Sequence, residues 1–306
     1  MKELEFGETR NEKRKTTNGK FMNKSWIKWS WLAVGLGLAL GGMARAAETI
    51  VEVAAGVSGA WVVPEAGWDG RTVLLFHGFA SDRDDAGGLL KRLAQALEAK
   101  GIATLRINFR GEGDSKRTAI ESTFTIRLED AAAAREWVVR QKGVAAEHVG
   151  LAGWSLGAST AIESGARHPA WFRTIAVWSS PSGDAFQQIA LGEMKPAYEQ
   201  AARDGIGTLP IAGWKTVTLK KDFFESFRGI DVDAALAKYP GAFLAVRGSE
   251  DMLPQHEAEF MKLAKGRPAE AAVIAGADHI FNVFDPKSPN AARVLAVTVA
   301  WFERTL

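Results

Sequence analysis

The sequence contains no cysteine. That absence rules out disulfides, a thiolate nucleophile, cysteine-ligated zinc and a lipidated N-terminal cysteine. Histidine is also scarce, with five in 306 residues. No internal repeat and no low-complexity segment breaks the chain after Ala47. The net charge is only +2, and even that excess sits in one place. Residues 1–46 hold nine Lys and Arg against four Glu, which leaves the remainder at about −3. No basic patch directs the chain to nucleic acid.

What is present divides at residue 46. Residues 1–20 are polar and lack an apolar period. Lys24 and Lys28 then precede an apolar, glycine-bearing stretch from Ser30 to Ala44, and Ala44-Arg45-Ala46 offers small residues where a signal peptidase reads. This three-part pattern predicts a secretory signal peptide cut after Ala46, with Met22 as an alternative start. The apolar run is shorter than the ~20 residues of a spanning helix. An uncleaved N-terminal anchor is the alternative. The expectation is therefore an exported protein, periplasmic or secreted, with no stable membrane partner once the leader is removed.

From Ala47 onward, short apolar runs alternate with helical patterns. Strands are predicted at 49–54, 59–64, 72–76, 102–107, 148–153, 173–180, 241–248 and 270–277. Between them the spacing predicts helices at 86–101, 128–143, 156–169, about 255–265 and 290–306. Several strands are continuous apolar runs, as burial on both faces requires. The alternation predicts an α/β fold, a mostly parallel sheet with helices on both faces. It breaks between Gly183 and Gly229, which predicts a small cap inserted over the sheet's active edge.

The chemistry centres on "GLAGWSLG" at 150–157. Ser155 falls between a strand and a helix, the context in which G-x-S-x-G is informative. So sharp a turn needs small neighbours, and Gly153, Gly157 and Ala158 supply them. The N–H of Leu156 then faces the position of an oxyanion. Serine needs a base, and the base an orienting carboxylate. His148, His168 and His256 lie at helix ends or at a strand's far end. Only His77, in "LLFHGFA", and His279, in "AGADHIFN", follow predicted strands. For the acid, "VRGSEDMLP" offers Asp251, with Glu250 beside it and Asp278 adjacent to His279. Asp278 is badly placed to orient its neighbour's ring. Ser155, Asp251, His279 is the chain order expected of such a hydrolase.

From about Thr72 to Leu306 the sequence resembles the α/β-hydrolase superfamily. The resemblance rests on "HGFA" (77–80), "FRGEGDS" (109–115), "GWSLG" (153–157), "GSEDMLP" (248–254) and "GADHIF" (276–281), in that order. It implies that Phe79 donates a backbone N–H to the oxyanion hole beside Leu156, and that His77 shapes that loop. A metal site from His77, His279 and Asp251 has no ligand spacing to support it, and no metal or organic cofactor is called for. The motif style resembles bacterial feruloyl and cinnamoyl esterases, and also serine aminopeptidase-like and prolyl-oligopeptidase-like hydrolases. Trp154 stands where many members carry His or Gln, and either walls the site or packs against the sheet.

The expected function is hydrolysis of a small-molecule carboxylic ester through an acyl-enzyme. Serine peptidase or amidase activity is one alternative, and a non-hydrolytic acyltransferase or binding protein another. The cap decides between them. Its Trp214, Phe223, Phe224, Phe227, Phe186 and Tyr198 either form an acyl or aryl pocket or bury the cap on the body. Its Glu193, Glu199 and Asp204 either bind a free amine or are solvated surface charge.

Overall fold

The computed structural model describes residues 47–113, 121–211 and 215–306. The leader, Ser115 of the "FRGEGDS" turn and Trp214 of the cap lie outside them. Ten strands and eight α-helices are described. In chain order the strands are β1 (Thr49–Ala54), β2 (Val57–Val62), β3 (Thr72–Phe76), β4 (Ala103–Ile107), β5 (Val149–Trp154), β6 (Thr174–Trp178), β7 (Ile206–Pro210), β8 (Thr216–Lys220), β9 (Ala242–Gly248) and β10 (Ala269–Ile274). The helices are α1 (Leu89–Glu98), α2 (Phe124–Val139), α3 (Leu156–Arg167), α4 (Lys195–Asp204), α5 (Lys221–Glu225), α6 (Val232–Leu236), α7 (Glu257–Leu263) and α8 (Asn290–Thr305).

Eight strands form one sheet in the order β1-β2-β4-β3-β5-β6-β9-β10. The β1-β2 and β2-β4 pairs are antiparallel, and every other pair is parallel. Alternation along each strand divides the core. Leu74, Phe76, Leu151, Ile175 and Phe243 face α2, α3 and α6, whereas Val73, Leu75, Ala152, Ala176 and Leu244 face α1 and α8. Strands buried on both faces have no polar alternation to show, which is why they read as unbroken apolar runs.

Most predicted elements occur within a few residues of their expected bounds. The helix α2 begins four residues earlier than the apolar spacing indicates. Thr123 sets that boundary, because its hydroxyl accepts the N–H of Ile126 and caps the first turn.

The register positions the site. Ile107, Phe76, Gly153, Val177, Ala245 and Ala271 lie across from one another on six neighbouring parallel strands. The segments after these strands therefore emerge along one edge, where ligands of open α/β sheets bind. His77, Ser155, Asp251 and His279 all lie on such segments.

Between β6 and β9 the chain leaves the sheet. It forms a π-helical segment (Phe186–Glu193), α4, the antiparallel hairpin β7-β8, and α5. It returns beside its exit, because Asp184 and Asp231 form an isolated antiparallel bridge. This excursion has its own apolar core, made of Phe186, Leu219, Phe223, Phe224, Phe227 and neighbours, which also includes Ala80 and Leu156.

Two glycines are forced by the elbow. A Cβ on Gly153 would lie 2.2 Å from the Gly157 carbonyl oxygen, and one on Gly157 would lie 2.3 Å from that of Phe76. These are backbone atoms of packed elements and cannot step aside. Gly88 differs, because it is left-handed (φ +77°) but has open space around it. Gly157→Ala should therefore cost about 3 kcal/mol or more, or prevent folding. Gly88→Ala should cost only about 1 kcal/mol. Thermal melts of the two variants side by side check the contrast.

Candidate active site

Ser155 joins β5 to α3 with φ 53° and ψ −121°. A non-glycine residue with positive φ is strained. The turn is held from both sides, since Ser155 N–H donates to the Trp178 carbonyl (2.9 Å) and its own carbonyl accepts from Ala158 N–H (2.9 Å). Leu156 is the first residue of α3, whose opening N–H groups have no carbonyl one turn earlier. They form the positive end of the helix beside the Ser155 hydroxyl.

The structure brings Ser155, His279 and Asp251 together. The Ser155 Oγ lies 3.1 Å from His279 Nε2, and His279 Nδ1 lies 2.8 Å from Asp251 Oδ1. An ionised carboxylate only accepts, so Nδ1 carries the proton and Nε2 is left to accept from the serine hydroxyl. The Asp251 side chain is buried and that of His279 nearly so. Burial works to raise the Asp251 carboxyl pKa, but the hydrogen bond and charge of His279, with hydrogen bonds from Ser179 and the Leu253 N–H, together hold the group below its ordinary range. The acid loop is itself clamped. Buried Arg247 donates to the carbonyls of Leu253 (2.7 Å), Gly248 (3.1 Å) and Asp251 (3.3 Å).

The other candidates lie elsewhere. Asp278 accepts the N–H groups of Ile280 (3.1 Å) and Asn282 (2.7 Å), shaping the loop around His279 without facing the ring. Glu250 is exposed. His168 stacks on Trp171, and His256 pairs with Asp233 at 2.8 Å. His148 closes a short 3-10 turn ahead of β5. His77 is fully buried, with Nδ1 2.7 Å from the Gly78 carbonyl and Nε2 accepting from Phe109 N–H (3.2 Å). Both ring nitrogens are engaged, so His77 cannot serve as base or metal ligand. Among the described residues no group of three His, Cys, Asp or Glu is placed to hold a metal ion.

Comparison with known proteins agrees with this architecture. A family profile described as serine aminopeptidase, S33, matches residues 70–205. The fold is shared with Est1E from Butyrivibrio proteoclasticus, solved with ferulic acid bound. That likeness has a TM-score of 0.64 at 19% identity and covers 84% of this chain and 98% of that one. A dienelactone hydrolase from Anabaena variabilis gives 0.60 at 17% identity over 86% and 99% of the two chains. The chain has the α/β-hydrolase fold. Uncharacterised proteins from two strains of Mycobacterium tuberculosis are 25% identical to it over 234 residues, 76% of this chain and 72% of theirs.

Beneath the site this α/β-hydrolase fold carries a buried ion pair that its motifs do not reveal. Arg127 of α2 donates to Glu112 Oε1 (2.6 Å), to the His77 carbonyl (2.5 Å) and to Thr160 Oγ1 of α3 (3.2 Å). Its guanidinium also lies 3.9 Å from the centre of the Phe109 ring. Glu112 accepts the Ala80 N–H (2.6 Å) and the Ser122 hydroxyl (2.9 Å). Burial works to raise the Glu112 pKa, yet the charge of Arg127 keeps it below the usual carboxylate range. The loop 77–80 is thus held at a carbonyl and an amide. Because Ala80 N–H is taken by Glu112, the Phe79 amide stands as the loop's candidate donor to an oxyanion. Glu112 lies within "FRGEGDS", so the only sequence signal was a carboxylate just past a buried strand.

Among the described residues, the cap phenylalanines are packed into its core. Phe223, Phe224 and Phe227 are fully buried, and Phe186 nearly so. Phe223 packs on Phe79 with ring centres 5.2 Å apart. Glu193, Glu199 and Asp204 are exposed. Glu225 is occupied by Tyr198 (2.8 Å) and by an ion pair with Arg228.

Burial pushes the His77 pKa down to about 4, from an ordinary 6.5. Between those values the unfolded chain binds a proton that the folded chain does not, so stability falls as the solution is acidified. The loss should begin near pH 6.5 and reach about 3 kcal/mol by pH 4. Urea unfolding at pH 7.5 and pH 4.5 measures it. The His77→Gln variant, which has no such proton, should show a correspondingly shallower pH dependence than wild type.

Proposed function

We propose that this chain is an exported serine hydrolase that cleaves carboxylic esters by way of an acyl-enzyme. The observation that supports this most directly is the unbroken line of contacts Ser155 Oγ, His279 Nε2, His279 Nδ1, Asp251 Oδ1, at 3.1 and 2.8 Å. His279 takes the Ser155 proton as Oγ attacks the acyl carbon. Asp251 stabilises the imidazolium, and the N–H groups of Phe79 and Leu156 receive the oxyanion. The alcohol departs with the proton from His279, and water completes the cycle by the same route. No cofactor enters these steps. Export is read from the leader at residues 22–46.

A serine peptidase or amidase is the second reading, favoured by the aminopeptidase name of the matching profile. An aminopeptidase must hold a free ammonium group, which calls for an available carboxylate near the nucleophile. Of the cap carboxylates, Glu225 is already paired, and Glu193, Glu199 and Asp204 are exposed with no contact to Ser155 or His279 among the described residues. The ester reading therefore stands first. In the third reading, an acyltransferase would pass the acyl group of Ser155 to an acceptor other than water, whereas a binding member would form no acyl-enzyme.

A fluorophosphonate probe should label the full chain but not Ser155→Ala; equal labelling of both would exclude Ser155 as nucleophile. On p-nitrophenyl esters, Ser155→Ala should lose activity by about 10,000-fold or more. Asp251→Asn should lose about 10,000-fold through the wrong His279 tautomer. Turnover of aminoacyl anilides without turnover of esters would instead establish the peptidase reading.

A further inference from the structure

We infer that Trp154, the variable residue of the G-x-S-x-G turn, is the positioning residue that fixes His279. This rests on the serine-hydrolase reading above. Trp154 ends β5, one residue before Ser155, and is only 8% exposed. Its indole N–H donates to the backbone carbonyl of His279 at 3.0 Å. Its ring centre lies 5.4 Å from that of the His279 imidazole, with the planes tilted by 50°. The opposite side of the indole rests on Gly78, where a Cβ would come within 2.5 Å of the ring. One side chain therefore touches the base loop and the oxyanion loop, and is bonded directly to the nucleophile.

The His279 loop explains why this matters. Between β10 and α8 it has no regular structure. Phe281 and Asn282 are both left-handed, and Asp278 ties the local backbone to itself. Toward the acid loop it is held by Glu250 N–H donating to the Ala277 carbonyl (2.8 Å). Toward the elbow, the polar ties to the His279 carbonyl come from Trp154 and from the Ser179 hydroxyl (3.2 Å). Ser179 is the weaker, with a longer bond and a single rotatable proton. The carbonyl of the base is therefore fixed chiefly by the residue beside the nucleophile. A shift of the turn that moves Ser155 also carries the anchor of its base, which keeps the Oγ to Nε2 distance constant. Histidine or glutamine at this position would not offer the same flat surface to Gly78, so the small residue at 78 and the indole at 154 fit as a pair.

The test uses p-nitrophenyl acetate hydrolysis by the full chain. Trp154→Phe keeps a ring on Gly78 and removes the N–H. It should lower kcat roughly tenfold with KM changed by less than about twofold, because misplacing a catalytic group costs rate and not binding. In a His279→Ala background the same substitution should change the residual rate by less than about twofold, since residues acting through one another are non-additive. If Trp154→Phe fails to fold, replacing Trp154 by benzothienylalanine, which keeps the bicyclic shape and lacks only the N–H, should show the same loss and decides the matter. An unchanged kcat, a rise in KM alone, or an equal loss with and without His279 would overturn the inference. Full activity in Ser155→Ala would overturn the underlying reading as well. An inactive Ser155→Ala beside a fully active Trp154→Phe would sink this inference alone.

Discussion

The ion pair between Arg127 and Glu112 is the constraint around which the candidate-site edge is organised. Both side chains are fully or almost fully buried, and burying two charges costs several kcal/mol each unless every polar atom finds a partner. Here the pair and its partners join four segments: α2, the turn after β4, the loop after β3, and α3. Arg127 reaches Glu112 after β4, the His77 carbonyl after β3 and Thr160 on α3, and Glu112 returns to Ala80. A purely apolar substitute of equal volume could match the pair in stability. It would leave the His77 carbonyl and the Ala80 amide without partners, and these two groups set the path of the loop bearing Phe79. The pair's contribution is the shape of that loop, more than net folding energy.

Strain at Ser155 is compatible with this frame because its surroundings are rigid. A serine at φ 53° persists only where neighbouring structure over-determines it. That role is shared by the parallel register, the two glycines whose Cβ positions are filled by backbone, and Trp178 accepting the Ser155 N–H. The left-handed Ala80 on the facing loop is held in the same way, by Glu112. Two strained residues, one in the loop after β3 and one in the turn after β5, thus lie on the same edge of the sheet.

Much of this was legible in the sequence, for physical reasons. Strands buried on both faces announce themselves as runs such as "TVLLF", and an elbow requires small residues at fixed spacing around Ser155. Asp251 and His279 could be located because the edge where strands end confines the candidates to a few loops. What stayed hidden depends on tertiary contact. Nothing in the spacing of Glu112 and Arg127 states that they meet. Arg247 looks like an ordinary charged residue at the end of an apolar strand, yet it holds three carbonyls of the acid loop. The indole of Trp154 could equally have lain on either side of the sheet. The cap aromatics were visible as residues, but only packing distinguishes a ring that lines a cavity from one that fills a core.

That last distinction bears on how the cap relates to the chemistry. Ala80 and Leu156 lie in the same apolar cluster as Phe186, Phe223 and Phe227, and Phe79 packs on its edge. The cap's core is therefore continuous with the segments offering oxyanion donors. Its two ends are bridged through Asp184 and Asp231, so the insertion is tied to the body at its neck and at the oxyanion loop. A change of volume at Phe223 would reach Phe79 through direct contact, and interiors packed at crystal-like density transmit such changes instead of absorbing them. Under the proposed ester hydrolysis, acyl preference and oxyanion geometry would not be independent properties. Residues shaping the substrate's surroundings would also press on the backbone proposed to stabilise the transition state.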